Sequence, residues 1–217
     1  MSAEPLLRIR GLTKTYGIRD VSMDVAAGAT LALIGPSGAG KSTLARCLAG
    51  FERADAGEIL LDGRSEWPRH EVQMILQQPA ASLNPRFTAE EIIAEPLVIQ
   101  RQGNAASRAK RARELMASLG LDPKAAGAPA RAFSGGERQR LAIARALTLE
   151  PKLLILDESL ASLDLSVQAQ IANLLLDLQE QRGLTYILIS HDLSLVGRIA
   201  SEIVVMNNGS IVERRPA

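Results

Sequence analysis

The run Gly35-Pro36-Ser37-Gly38-Ala39-Gly40-Lys41-Ser42-Thr43 fills every fixed place of the pattern G-x-x-x-x-G-K-[ST] with Gly35, Gly40, Lys41 and Ser42. Its chemistry is that of a phosphate cradle. Small residues let successive backbone N–H groups converge on a polyphosphate, and a helix N-terminus behind them adds unpaired donors and about half a unit of positive charge. Lys41 is placed to reach the β- and γ-phosphates and Ser42 to ligate Mg²⁺. At average composition such a match arises by chance in roughly one chain in a hundred of this length. A glycine-rich turn capping an ordinary helix is therefore the weaker reading.

Further reactive residues stand at the ends of apolar runs. Leu153-Leu154-Ile155-Leu156 is followed by Asp157 and Glu158, and ligands of open α/β sheets sit at the carboxyl ends of such buried strands. Asp157 is placed to hold Mg²⁺. Glu158, turned to the other side, can orient and partly deprotonate an attacking water. Thr185 to Ile189 is another buried run, and His191 beyond it reads as a γ-phosphate contact. Ser134-Gly135-Gly136-Glu137 precedes the helical run Leu141 to Leu147. By itself this is an N-cap with a flexible lead-in. The alternative is a second anion site, which one phosphate loop per chain would explain only in a dimer whose chains each close over the other's nucleotide. Tyr16 is either a packing residue or a flat ring for adenine.

These residues need elements to carry them. Leu31 to Ile34 predicts a buried strand entering the phosphate loop, and a helix over about Lys41 to Leu48 leaving it. Leu6 to Arg10 and Val21 to Val25 alternate as half-exposed strands, with breaks at Gly17 and Gly28. Gly57 to Gly63 predicts a strand closed by an Asp-Gly turn, and Val72 to Leu76 a further strand. Thr88-Ala89-Glu90-Glu91 has capping-box spacing before a helix. A second helix spans Asn104 to Leu119, with Arg108, Lys110, Arg111 and Arg113 as a solvated face. The block from about Pro79 to Leu149 is thus helical within an otherwise alternating α/β order. Ser162-Leu163-Asp164 leads a long helix to about Gln181. Glu202 to Met206, Asn207-Asn208-Gly209 and Ser210 to Glu213 read as a hairpin.

Composition limits the function classes. Among 217 residues, 25 Lys and Arg balance 24 Asp and Glu, and aromatic residues make up only 3%. Neither a broad cationic surface nor a set of base-stacking rings is provided, so no nucleic-acid partner is expected. The single cysteine, Cys47, excludes a disulfide within the chain and reads as a small buried apolar group. No run approaches about 18 apolar residues, and the first eight residues lack a secretory apolar core. A soluble, cytoplasmic protein is expected, held to a membrane, if at all, through a partner.

With these motifs in this order, the chain resembles the nucleotide-binding subunit of an ABC transporter, over nearly its whole length. The resemblance implies an α/β P-loop NTPase fold with a RecA-like parallel sheet core, an N-terminal antiparallel β subdomain and an inserted α-helical subdomain. It implies one domain over 1–217, with core 1–78 and 150–217 and helices over about 79–149. Tyr16 then matches the aromatic residue on adenine, and Gly35 to Thr43 match Walker A. Gln77 matches the glutamine that senses Mg²⁺ and faces the membrane partner. Ser134, Gly135 and Gly136 match the signature that binds the partner's γ-phosphate in trans. Asp157 matches the Walker B aspartate, Glu158 the catalytic glutamate, Asp164 the dimer-interface aspartate and His191 the switch histidine. ATP and Mg²⁺ are the implied cofactors.

Gln77-Gln78-Pro79-Ala80-Ala81-Ser82-Leu83-Asn84-Pro85-Arg86 and Glu91 to Leu97 are similar to importers of dipeptides, oligopeptides and nickel. Glu150 to Glu158 with Leu163 to Gln170 look most like the second ATPase subunit of nickel and peptide systems. The implied partners are a second, different ATPase subunit, two membrane permeases on the inner face of the cell membrane and, indirectly, an external binding protein. The solute would be a peptide, nickel or a metal-chelate. The alternatives are a soluble ABC ATPase of a cytoplasmic complex such as phosphonate degradation, or a partly degenerate partner subunit. Departures from the family are Glu137 in place of the usual glutamine, which predicts like-charge repulsion of phosphate, and Ser159 in place of proline, which predicts a looser turn. The sequence ends at Ala217 without the C-terminal extension of many peptide importers, so regulation through such an extension is not expected.

Overall fold

A computed structural model describes residues 4–77, 82–161 and 163–217. In chain order the strands are β1 (Pro5–Lys14), β2 (Ile18–Ala26), β3 (Thr30–Ile34), β4 (Ala56–Leu61), β5 (Val72–Ile75), β6 (Leu153–Asp157), β7 (Thr185–Ile189), β8 (Glu202–Asn207) and β9 (Ser210–Pro216). The helices are α1 (Lys41–Leu48), α2 (Ala89–Ile99), α3 (Ala105–Ser118), α4 (Gly135–Leu147), α5 (Leu165–Arg182) and α6 (Leu193–Ile199). A six-stranded sheet has the order β5-β6-β7-β3-β8-β9, parallel except for β9, and a three-stranded antiparallel sheet has the order β2-β1-β4.

The parallel sheet is buried on both faces, and the period of two in its strands assigns each residue to one face. Leu153 and Ile155 of β6, Ile187 and Ile189 of β7, and Leu31 and Leu33 of β3 pack with α1 and the antiparallel sheet. Their neighbours Leu154, Leu156, Tyr186, Leu188 and Ala32 pack instead with residues of α2 to α6. The Tyr186 hydroxyl, deep on the helical side, donates to Leu175 O at 2.9 Å, and burial pushes its pKa up.

Local signals explain where the elements begin and end. Thr88, Asn104 and Ser134 each close a capping box at the start of α2, α3 and α4, and Asp164 caps α5 through Val167 N. Gly183 ends α5 in a left-handed conformation. Asp62-Gly63 and Asn208-Gly209 both adopt positive φ, the geometry of the tight turns predicted there. β1 runs on through Gly11 to Lys14, further than its alternation suggested, because it pairs with both β2 and β4. The helical subdomain also contains 3-10 turns at Pro123–Gly127 and Ala130–Ala132. α6 is an addition to the expected elements. Asp192 caps it, and its Leu195, Val196 and Ile199 are buried at helical spacing. On α3, Arg111 pairs with Glu150 at 2.7 Å and Arg113 with Glu90 at 2.8 Å, so the basic face is partly paired within the fold.

Candidate active site

The alternation along β6 decides where its two terminal carboxylates go. Asp157 continues the parity of Leu153 and Ile155, toward α1, and Glu158 continues that of Leu154 and Leu156, away from it. Ser42, on the first turn of α1, accordingly donates its hydroxyl to Asp157 Oδ1 at 3.2 Å. Asp157 is buried, and this burial raises its pKa; the Ser42 hydrogen bond opposes the rise and the neighbouring Glu158 charge adds to it. Both oxygens of Glu158 are engaged. Oε1 lies 2.6 Å from His191 Nε2, and Oε2 accepts from Gln77 Nε2 at 2.8 Å.

Glu158 has φ 47°, a conformation costing a non-glycine residue about 1–2 kcal/mol. Its surroundings impose it: Glu158 N donates to Ile189 O at 3.0 Å and Ala161 N to Glu158 O at 3.2 Å. Ser159 is only 1% exposed, and its Oγ has no hydrogen-bond partner among the described residues. The turn after Glu158 is packed and bonded, and Ser159 in place of proline leaves a buried hydroxyl in it.

The phosphate loop is braced from two directions. Gly40, with φ 98°, caps α1, and a Cβ there would lie 1.9 Å from Gly17 O; a Cβ on Gly35 would lie 2.1 Å from Met206 O. The hairpin turn of β8 and β9 reaches across, with Gly209 N donating to Ala39 O at 3.1 Å and Arg19 N to Gly209 O at 2.7 Å. Lys41 is buried, and its Nζ donates to Gly35 O at 2.8 Å and Pro36 O at 2.9 Å. An ammonium already held by two loop carbonyls is aimed at the space inside the loop. Cys47 on the same helix is buried, as expected of a small apolar group, and burial raises its pKa.

Tyr16 is 68% exposed, which removes the packing reading. Asp55 fixes the residues before it: Lys14 Nζ donates to Oδ1 at 2.8 Å, and Thr15 N and Oγ1 donate to Oδ2 at 2.8 and 2.6 Å. These bonds hold the Asp55 carboxyl far below the usual carboxylate range. Lys14 Nζ lies 5.1 Å from the Tyr16 ring centroid, leaving a ring face for a second flat group.

One cavity of about 580 Å³ is lined by Tyr16, Gly17, Ser37 to Thr43, Gln77, Asp157 and Glu158. Gly35 and Pro36 support it through Lys41, and His191 reaches it through Glu158. Ser134, Gly135, Gly136 and Glu137 do not line it. They stand instead beside the start of α5, because a Cβ on Gly136 would lie 2.7 Å from Val167 Cγ1, and Asp164 Oδ1 accepts from Val167 N at 2.9 Å. Gly136→Ala is therefore expected to destabilise the fold by about 1–2 kcal/mol through overpacking. Thermal unfolding checks this, and adding Val167→Ala should restore most of the loss. Gln78, Pro79, Ala80, Ala81 and Ser162 lie outside the described residues.

The donor set suits Mg²⁺ bound together with a polyphosphate. Ser42 and Asp157 offer hard oxygens, and Gln77, whose Nε2 faces Glu158, keeps its amide oxygen. Among the described residues no cluster of three or more His, Cys, Asp or Glu forms a metal site. Mg²⁺ held by one carboxylate and a few neutral oxygens completes its shell with phosphate and water.

Residues 18–161 match the family model described as ABC transporter. The chain belongs to the ABC transporter family. A putative peptide import ATP-binding protein of Brucella ovis is 43% identical over 230 residues, spanning 98% of this chain and 73% of that one. A glutathione import ATP-binding protein, GsiA, of Salmonella choleraesuis is 41% identical over 240 residues, spanning 100% of this chain and 38% of that one. Among solved structures, cbiO1 of Clostridium perfringens, part of the ABC transporter complex cbiONQ, superposes with a TM-score of 0.88 at 25% identity, covering 98% of this chain and 89% of that one. The ATP-binding cassette MJ0796, in a dimeric post-hydrolysis state with ADP and Pi, gives 0.84 at 26% identity, covering 97% and 98%. The chain is an ABC ATPase, with the parallel core, antiparallel sheet and helical subdomain of that class.

Three contributors to the ABC site carry no motif of their own. Gly17 lines the cavity and sets the limit on Gly40, Asp55 orders the residues before Tyr16, and Gly209 braces Ala39. In the sequence Gly17 was marked only as a strand break and Gly209 only as part of the hairpin turn, and Asp55 carried no signal.

Proposed function

We propose that this chain is the ATP-hydrolysing, energy-coupling subunit of an importer of peptides or peptide-like solutes. The observation that carries the chemistry is Glu158. Its carboxylate is held by Gln77 on one oxygen and His191 on the other, in the lining of a cavity shared with Lys41, Ser42 and Asp157. The Gly35–Thr43 loop binds the phosphates of ATP, and Lys41 exchanges its loop carbonyls for β- and γ-phosphate oxygens. Ser42, Asp157 and Gln77 would hold Mg²⁺, which would supply charge neutralisation on the phosphates. Glu158 orients a water toward the γ-phosphate and takes up its proton, using lone pairs that Gln77 and His191 leave free. Fixed donors on both oxygens keep the carboxylate aimed, which is positioning gained before the substrate arrives.

Tyr16 stacks on adenine. Asp55→Ala should free Lys14 and Thr15, raising the KM for ATP about three- to tenfold while kcat changes little. Steady-state ATPase kinetics read this split.

Ser134, Gly135 and Gly136 are not among the described residues that line the cavity of their own chain. We infer that they close over the nucleotide of a second ATP-binding subunit, with Asp164 at the same interface. MJ0796 supports this reading as a dimeric cassette. The names of the Brucella and Salmonella relatives support peptide or glutathione-like cargo. The remaining partners are two permeases that hold the chain at the cytoplasmic face of the membrane, and an external binding protein that feeds them. Purification of the tagged chain from solubilised membranes tests the assignment. Co-isolation of two multi-pass permeases and a second ATPase is expected; an eluate containing only soluble enzymes overturns it.

A further inference from the structure

Glu137 completes the capping box of α4: Ser134 N donates to its Oε2 at 2.8 Å, and its own N donates to Ser134 Oγ at 3.3 Å. A glutamine at this helical position would close the same box. The cap therefore does not require the negative charge. Hydrogen bonds from the Ser134 backbone and hydroxyl hold the Glu137 carboxyl below its usual range, with a smaller contribution from Arg140, so it stays ionised at neutral pH.

This carboxylate acts against an anion approaching the helix start in two ways. It offsets the roughly half unit of positive charge at the N-terminus. It takes the Ser134 N–H, leaving Gly135 and Gly136 N–H as the donors without an acceptor among the described residues. Gly135 faces open space, where an added Cβ would meet nothing within 4 Å, so the approach itself is unobstructed. The obstacle is charge, not shape.

We propose that Glu137 sets the ATP requirement of the interface built on this helix, raising the nucleotide concentration at which a second subunit's γ-phosphate is captured. The proposal rests on reading Ser134 to Gly136 as the element that meets that phosphate. It makes the composite site formed with this chain's α4 close at higher ATP than the same site would with an uncharged residue at position 137.

The test is the ATP dependence of hydrolysis by the purified complex of this chain with its cognate ATPase and permeases. Glu137→Gln, which keeps the cap and removes the charge, should lower the KM for ATP about three- to tenfold without a fall in kcat or in unfolding temperature. Glu137→Ala, which removes charge and cap together, should lower both the KM and the unfolding temperature, separating electrostatics from helix stability. An unchanged or raised KM in Glu137→Gln overturns the proposal. Lys41→Ala separates this from failure of the underlying reading. If it abolishes nucleotide binding by the isolated chain while Glu137→Gln leaves the KM unmoved, only the role of Glu137 falls. If Lys41→Ala binds nucleotide normally, the phosphate-loop assignment falls and the proposal with it.

Discussion

Glu158→Gln should reduce ATP turnover by about a thousandfold or more while ATP binding is retained. The substitution keeps the size and the hydrogen-bonding reach of the side chain but removes the proton acceptor, and general-base catalysis contributes about 10²- to 10⁴-fold. It also replaces one acceptor oxygen with an amide nitrogen, so one of the two contacts from Gln77 and His191 is lost whichever way the amide is turned. Single-turnover hydrolysis alongside equilibrium nucleotide binding measures the two effects separately. Wild-type-like turnover would remove Glu158 from the chemistry. Loss of binding together with turnover would place it among the nucleotide contacts instead.

Gly40→Ala should cost more than its single methyl group suggests. The new Cβ would lie 1.9 Å from Gly17 O, a backbone atom that cannot rotate away, and the residue has φ 98°. Either the first turn of α1 moves, carrying Lys41 and Ser42, or the Gly17 loop does, displacing Tyr16. We expect nucleotide affinity to fall at least about a hundredfold and stability to drop by about 3 kcal/mol, since strain and overlap add at one position. Nucleotide titration and chemical denaturation of the purified chain check both. A substitution at Gly38, whose Cβ would meet nothing within 4 Å, should be milder, because only its φ of 80° is strained.

How much was legible in the chain depended on the range of the forces involved. The strands β3, β6 and β7 announced themselves because a strand buried on both faces must be apolar throughout, and their ends carried Lys41, Asp157, Glu158 and His191 into view. Helix starts at Thr88, Asn104 and Ser134 were equally plain, since capping is settled within four residues. α6 passed unnoticed although Asp192 and the spacing of Leu195, Val196 and Ile199 marked it, because a seven-residue helix gives little periodicity to detect.

What the sequence by itself determined was the set of reactive residues and their order: a G-x-x-x-x-G-K-S run after one strand, two carboxylates at the end of another, and a histidine at the next. Each is encoded by contiguous residues whose local geometry follows from backbone sterics and the period of a strand. The tertiary structure alone decided how those groups are held. Gln77 and His191 meet on one carboxylate, Asp55 orders the chain before Tyr16, Gly209 braces Ala39 from the far end of the chain, and Gly136 is small because Val167 lies against it. These partners are distant in sequence, and contacts made by side-chain packing leave no periodic or local mark; only the folded backbone brings them within bonding distance.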